Sequence, residues 1–119
     1  MSVFQNMLCS YMPNYELQFY SSGNSKPIDK FLAKTNKPTR AKIFRGLNLL
    51  EKYGPMIGMP HVKKIDHVLY ELRIRGKEEV RVLFITQLRI IYFLHIFKKK
   101  TQKIPANEIN TAHQRLTYL

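Results

Sequence analysis

The chain is 119 residues long, room for one domain with a small core, and its 45% apolar and 12% aromatic residues exclude a disordered basic tail. Twenty Lys and Arg against eight Asp and Glu give a formal charge of +12, which calls for a polyanionic partner. The single cysteine, Cys9, excludes an internal disulfide framework and a multi-cysteine metal site, and fits a reducing compartment.

Residues 1–13 are apolar and uncharged, and no Lys or Arg precedes Lys26, so the basic region of a secretory signal is missing. The stretch reads as a loosely ordered extension ahead of a single domain over residues 14–119, with Met7 and Met12 as alternative natural starts. Asn14 to Tyr20 alternates, with Tyr15, Leu17 and Phe19 on one face and Glu16, Gln18 and Tyr20 on the other, which predicts a strand before the turn residues Ser21 to Ser25. Pro27 suits a first helical turn and Ile28, Phe31 and Leu32 have helical spacing, so a short helix is expected over Pro27 to Lys34. A longer helix should begin near Thr39, whose hydroxyl can cap free amides, and bury Ile43, Phe44, Leu47 and Leu50. It should end at Tyr53, before Gly54 and Pro55, with Arg40, Lys42, Arg45 and Lys52 on its outer face.

Beyond Pro60 the apolar period drops to two, predicting strands near His61 to Ile65, Val68 to Arg75, Glu79 to Thr86 and Leu88 to Phe97. The longest apolar tract, Val82 to Phe97, is too short to span a membrane and carries Gln87, Arg89 and His95, so a soluble protein is expected. A final helix, Pro105 to Leu116, offers Ala106, Ile109, Ala112 and Leu116 to the sheet. The order of elements predicts an α+β fold without repeats.

The hairpin around Gly76 can be registered by parity. Tyr70, Leu72 and Ile74 share one face with Val80, Val82 and Phe84 only if the loop holds an odd number of residues, because a slip of one turns every side chain over. A loop of Gly76, Lys77 and Glu78 then sets Arg73 directly across from Arg81. Two arginines facing each other destabilise the sheet by ~0.2–1 kcal/mol unless an anion lies between them, so an anion site is expected there. The competing reading is that Glu71 and Glu79 neutralise them as surface cross-strand pairs. Tyr92 and His95 remain open: a two-residue turn after Thr86 brings Tyr92 onto the Arg81 face, and one more residue brings the His95 face round instead. His61, His67 and His113 have no metal-ligand spacing, so neither a metal nor a cofactor is expected. Lys98, Lys99, Lys100 and Lys103 crowd four charges into six positions, which repel one another without an anionic partner.

Tyr70-Glu71-Leu72-Arg73, Val80-Arg81-Val82-Leu83-Phe84, Leu94 to Lys100, Lys103-Ile104-Pro105, Glu108-Ile109, Ala112 and Arg115 together resemble the phage-derived HigB-like toxins of the RelE/ParE superfamily. The resemblance runs from about Tyr15 to Leu116. It implies a β-α-α-β-β-β(-β)-α fold: a small, mostly antiparallel twisted sheet with two N-terminal helices on one face and a C-terminal helix. The implied function is the toxin of a type II toxin–antitoxin system, a cytoplasmic, metal-independent endoribonuclease (mRNA interferase) that cleaves mRNA in the ribosomal A site by 2′-hydroxyl attack on the adjacent phosphate. By position, Arg81 matches the arginine that would hold the scissile phosphate, Arg73 the basic residue of the preceding strand, and Lys98, Lys99 and Lys100 the basic cluster that would support phosphate binding or proton transfer. Glu71 stands where the family pattern has a lysine, so the general base is open among Glu71, Tyr92, His95 and a cluster lysine. Arg40, Lys42, Arg45, Lys63, Lys64, Arg75, Lys77 and Lys103 would grip ribosomal or messenger RNA. The implied protein partner is an acidic HigA-like helix-turn-helix antitoxin; no membrane or small-molecule cofactor is implied. Two other readings compete: a ParE-like toxin acting on DNA gyrase, which would leave the arginine face idle, and a non-enzymatic basic RNA-binding module. The latter is disfavoured because most aromatics fall on apolar stripes rather than among exposed charges.

Overall fold

A computed structural model describes residues 14–119. The loosely ordered extension and the alternative starts expected within residues 1–13 lie outside the described residues. Five strands form one sheet in the order β1-β5-β4-β3-β2. They are β1 (Glu16–Phe19), β2 (Val62–Lys64), β3 (Tyr70–Ile74), β4 (Val80–Gln87) and β5 (Ile90–Lys98). β1 runs parallel to β5; every other neighbouring pair is antiparallel. Three α-helices complete the fold: α1 (Pro27–Lys34), α2 (Lys37–Tyr53) and α3 (Ala106–Leu116).

Strand alternation decides which helix meets which face. Leu72, Ile74, Val80, Val82 and Phe84 point to one side and pack with Ile28 of α1 and Ile43, Leu47 and Leu50 of α2. Leu69, Leu83, Leu94 and Phe97 form a smaller cluster on the other side, closed by Ala112 of α3 with Ile109 and Leu116 beside it. The apolar residues on both faces of β5 are explained by a bulge: Leu83 pairs with His95 and Phe84 with Phe93, so Leu94 is an extra residue. Phe93 and Ile96 thus serve the larger core while Leu94 and Phe97 serve the smaller one.

Several element ends differ from the sequence reading for local reasons. α2 is capped by Asn36, whose side-chain oxygen accepts from the Thr39 amide at 2.9 Å, with a proline in the first turn; Thr39 lies one turn inside. Phe44, expected in the core, is 46% exposed on the outer face of α2. Val68 is exposed because the Asp66 carboxylate accepts from the Val68 and Leu69 amides (3.0 and 2.8 Å), making a turn where strand was expected. Leu88 belongs to the β4–β5 turn rather than to β5; its φ is +56° and its side chain is exposed. After α2 the backbone of Gly54 turns through φ +70°, and a side chain there would run into the Tyr15 ring.

Candidate phosphate-binding site

The β3–β4 hairpin has the register that parity required: Ile74 pairs with Val80 and Arg73 with Arg81. Both arginines project to the α3 side of the sheet, beyond the part of that face which the helix covers. Across β5, β4 and β3 the row runs Phe97, Arg81 and Arg73, and it continues just before β2 at His61, whose carbonyl accepts from the Arg73 amide at 2.8 Å.

Arg81 is 1% exposed, and its charge is met on three sides. One terminal nitrogen donates to Glu79 Oε1 at 2.9 Å, the other to the Val80 carbonyl at 2.9 Å, and Nε lies 3.5 Å from Glu71 Oε2. The other Glu71 oxygen lies 3.6 Å from Arg73 Nε, so one buried carboxylate sits between two guanidinium groups. None of these Glu71 approaches is a hydrogen bond: Glu71 Oε2, Arg73 Nε and Arg81 Nε are all buried without a partner. These contacts are therefore electrostatic, opposite charges meeting at 3.5 and 3.6 Å without hydrogen-bond geometry. The expected neutralisation by Glu71 and Glu79 is found, but at Glu71 it is buried rather than superficial, while Glu79 stays partly exposed. Each acid pairs along its own strand two residues away, and only Glu71 reaches across to Arg81.

Above this floor lies a polar cleft of about 660 Å³ lined by Arg73, Arg75, Arg81, Lys99, Lys100 and Glu79, with Thr101 and Gln102 at its side. The Lys99 amide donates to the Glu79 carbonyl at 2.8 Å, extending the β4–β5 ladder by one rung and swinging the lysine segment beside the hairpin. Glu79 is the cleft residue that sequence reading did not place among the candidates for chemistry, although strand alternation sets it on the same face as Arg81. The Arg81 hydrogen bond outweighs burial and holds its carboxyl below the ordinary glutamate value, so it is an anion at neutral pH.

The other residues singled out from sequence divide. Lys98 points away from the cleft and pairs with Glu78 at 3.1 Å, beside Lys77 in a neighbouring hollow. Tyr92 lies across from Ile85, not Arg81, four positions along β4 and therefore about 13 Å from the arginine row. His95 lies across from Leu83, also outside the cleft. Its Nδ1 accepts from Arg115 (3.2 Å), which can only donate, so Nε2 carries the proton toward Glu108 Oε2 at 3.0 Å. Burial, aided by Arg115 and opposed by Glu108, lowers its pKa and keeps the ring neutral. Its ring also stacks on Phe97 with centroids 5.5 Å apart, so His95 fastens α3 to the sheet.

Among the cations assigned to RNA, Arg40 turns inward instead: its guanidinium donates to the carbonyls of Leu32, Ala33 and Thr35 at 3.0, 3.4 and 2.6 Å and caps the end of α1. Lys63 lies beside Glu71 in the β2–β3 register, and the Lys64 ammonium sits 5.8 Å from the Tyr70 ring centroid. Lys103 is exposed on the segment before α3. Lys42, Arg45 and Arg75 share a second hollow with Arg73. Among the described residues no three His, Cys, Asp or Glu side chains converge to hold a metal, and no helix is long and apolar enough to cross a membrane.

No curated protein matches the chain. The family model described as phage-derived protein Gp49-like (DUF891) matches residues 30–117, which takes in α2, α3 and all of α1 but its first residues, β2 to β5, both arginines and the lysine segment. The chain thus belongs to the Gp49-like family of phage-derived proteins, a toxin-like family of the RelE/HigB type.

Proposed function

We propose that the protein is the toxin of a type II toxin–antitoxin pair and a ribosome-dependent endoribonuclease acting on mRNA in the cytoplasm. The observation that carries this reading is the facing pair Arg73 and Arg81 on the floor of a cleft otherwise walled by Arg75, Lys99 and Lys100. A phosphodiester entering it meets donors fixed before it arrives, which is the arrangement that stabilises the extra charge of a five-coordinate phosphorane. Arg73, Arg75, Lys99 and Lys100 reach the phosphate. Arg81, held by Glu71 and Glu79, is a positioning residue for the floor. In the reaction the 2′-hydroxyl gives up its proton, its oxygen bonds to phosphorus, and the bond from phosphorus to the 5′-oxygen breaks. That oxygen takes a proton, leaving a 2′,3′-cyclic phosphate and a 5′-hydroxyl. Glu79, ionised and partly exposed at the cleft wall, is placed to accept the first proton, and Lys99 or Lys100 to supply the second. An acidic antitoxin with a helix-turn-helix domain is the partner that +12 invites.

One observation favours a second reading. Arg81 is fully buried and already matched by two carboxylates, as a purely structural arginine would be; a gyrase-directed toxin of the same fold needs nothing more of it. Mapping mRNA 5′ ends after induction separates the two. Under the nuclease reading the wild type arrests growth and cuts translated messages, while an Arg73→Ala, Lys99→Ala, Lys100→Ala variant, folded by circular dichroism, does neither. Growth arrest without cuts refutes the nuclease reading. Arg81 is left intact because its truncation would strand the Glu71 carboxylate in the core.

A further inference from the structure

The cleft does not end at the arginine pair. A smaller groove of about 250 Å³ begins where Arg73 and Arg75 form a common wall and continues past Pro60 and His61 to α2, where Lys42 and Arg45 line its far side. The two hollows share Arg73 and Arg75 and nothing else, so those side chains separate them and face both. The groove floor is apolar, made of Gly46, Leu49, Pro60 and Ile74, and His61 stands exposed at its rim. No acidic side chain lines it among the described residues, in contrast to the cleft, where Glu79 takes part.

Two packing details hold this shape. Gly46 is buried where α2 crosses β3, and a side chain there would run into Ile74 Cδ1 at 2.6 Å; its absence lets the helix lie close enough to put Lys42 and Arg45 over the strand end. At the other wall the Lys42 ammonium rests on Gly76 of the hairpin, joining α2 to the loop that carries Arg75.

We propose that this groove is a second subsite for the strand that enters the cleft. The nucleotide next to the scissile phosphate lays its base on the apolar floor beside His61, and its phosphate lies between Arg75 and the α2 pair Lys42 and Arg45. The inference rests on the reading of the cleft as a ribonuclease site. It assigns Lys42 and Arg45 to the substrate strand rather than to ribosomal RNA. The occupant is single-stranded because the groove is small, about 250 Å³, and offers one apolar platform flanked by cations, which matches a base and its own backbone. An acidic polypeptide would use the cations but not the platform.

The test is fluorescence-anisotropy binding of uncleavable 2′-O-methyl RNA, a trinucleotide against a nonanucleotide, over a range of salt. The proteins are the wild type, Lys42→Ala with Arg45→Ala, and Arg73→Ala with Lys99→Ala. Both α2 side chains are exposed, so the groove variant keeps its fold, checked by circular dichroism. If the groove holds the strand, the advantage of nonanucleotide over trinucleotide shrinks in that variant. Its salt slope for the longer RNA falls by up to about 0.7, the value for the one phosphate that these side chains hold on a single strand. A groove variant with the wild-type slope and length dependence overturns the subsite, and if the cleft variant alone loses binding the ribonuclease reading stands without it. A wild type that binds neither RNA overturns the subsite, while the ribosome-dependent reading is decided by the mapping of mRNA 5′ ends. Loss of poly-L-glutamate binding in the groove variant, with RNA binding intact, overturns the assignment in favour of an acidic polypeptide.

Discussion

Glu71→Gln takes away the single negative charge between two guanidinium groups while keeping the shape of the side chain. In the wild type its oxygens lie 3.6 and 3.5 Å from Arg73 Nε and Arg81 Nε, and the carboxylate is 3% exposed. At an effective dielectric constant of about 20, each contact corresponds to an attraction of about 4–5 kcal/mol, set against desolvation and the mutual repulsion of the arginines. Removing one partner of a buried pair costs about 3–5 kcal/mol. Arg81 keeps Glu79 and the Val80 carbonyl, so the lower end applies, about 3 kcal/mol. For a domain of this length that lowers the melting temperature by about 10–15 °C. Urea unfolding followed by circular dichroism measures it, with an unchanged m-value expected. Sulfate provides the second arm. With the internal anion gone, an external one should take its place, and sulfate at a hundred times its dissociation constant would restore about 2.7 kcal/mol. Glu71→Gln within about 0.5 kcal/mol of wild type would mean that the two arginines do not repel across the strands as described. A loss of stability that sulfate does not repair would refute the view that the floor is built to receive a phosphate.

Asp66 and His95 each predict a pH effect of definite sign. Burial pushes the Asp66 carboxyl up, but the Leu69 and Val68 amides and His113 together hold it below 3.8, so its contribution is full above that value and lost as pH falls through the lower folded one. Asp66→Asn should therefore be less stable than wild type at pH 6, with the gap closing below about pH 4 in urea titrations. His95 is depressed below 6.5, chiefly by burial, so the unfolded chain takes up its proton first and stability falls as pH drops from 6.5 toward the folded value. His95→Gln should flatten that part of the profile, and the imidazole NMR signal should titrate below 6.5. Arg40→Ala removes donors from three carbonyls at the end of α1 and should cost about 1.5–3 kcal/mol in urea unfolding, with no change in the salt dependence of RNA binding.

The parts of this molecule legible in the sequence are those set by local chemistry. α1 occupies Pro27–Lys34 as expected because proline at its first turn and the apolar spacing agree. The register of Arg73 against Arg81 follows from counting residues between two alternating runs. What depends on distant partners was not legible. Nothing near Leu94 announces the bulge, whose cause is that β5 must feed two cores at once; that extra residue shifts the register of His95, while Tyr92 is set opposite Ile85 by the turn at Leu88 and Arg89. Arg40 reads as an outward cation until the end of α1 comes within reach. Glu79 reads as a surface counter-charge until the lysine segment folds over it and makes it the wall of a cleft.

The ladder between β1 and β5 has a kinetic consequence. Glu16 meets Ile90, roughly seventy positions away, whereas β2 to β5 form a meander in which each strand pairs with the next. Closing the long loop is entropically expensive and is rewarded by only four paired residues. The β3–β4–β5 meander should therefore assemble first and β1 dock last. Substitutions at Val82 or Ile96 should slow refolding, while those at Leu17 should mainly speed unfolding. The facing arginines lie within the early unit, so their mutual repulsion weighs on the folding nucleus, and Glu71 on the same hairpin is in place to offset it from the start.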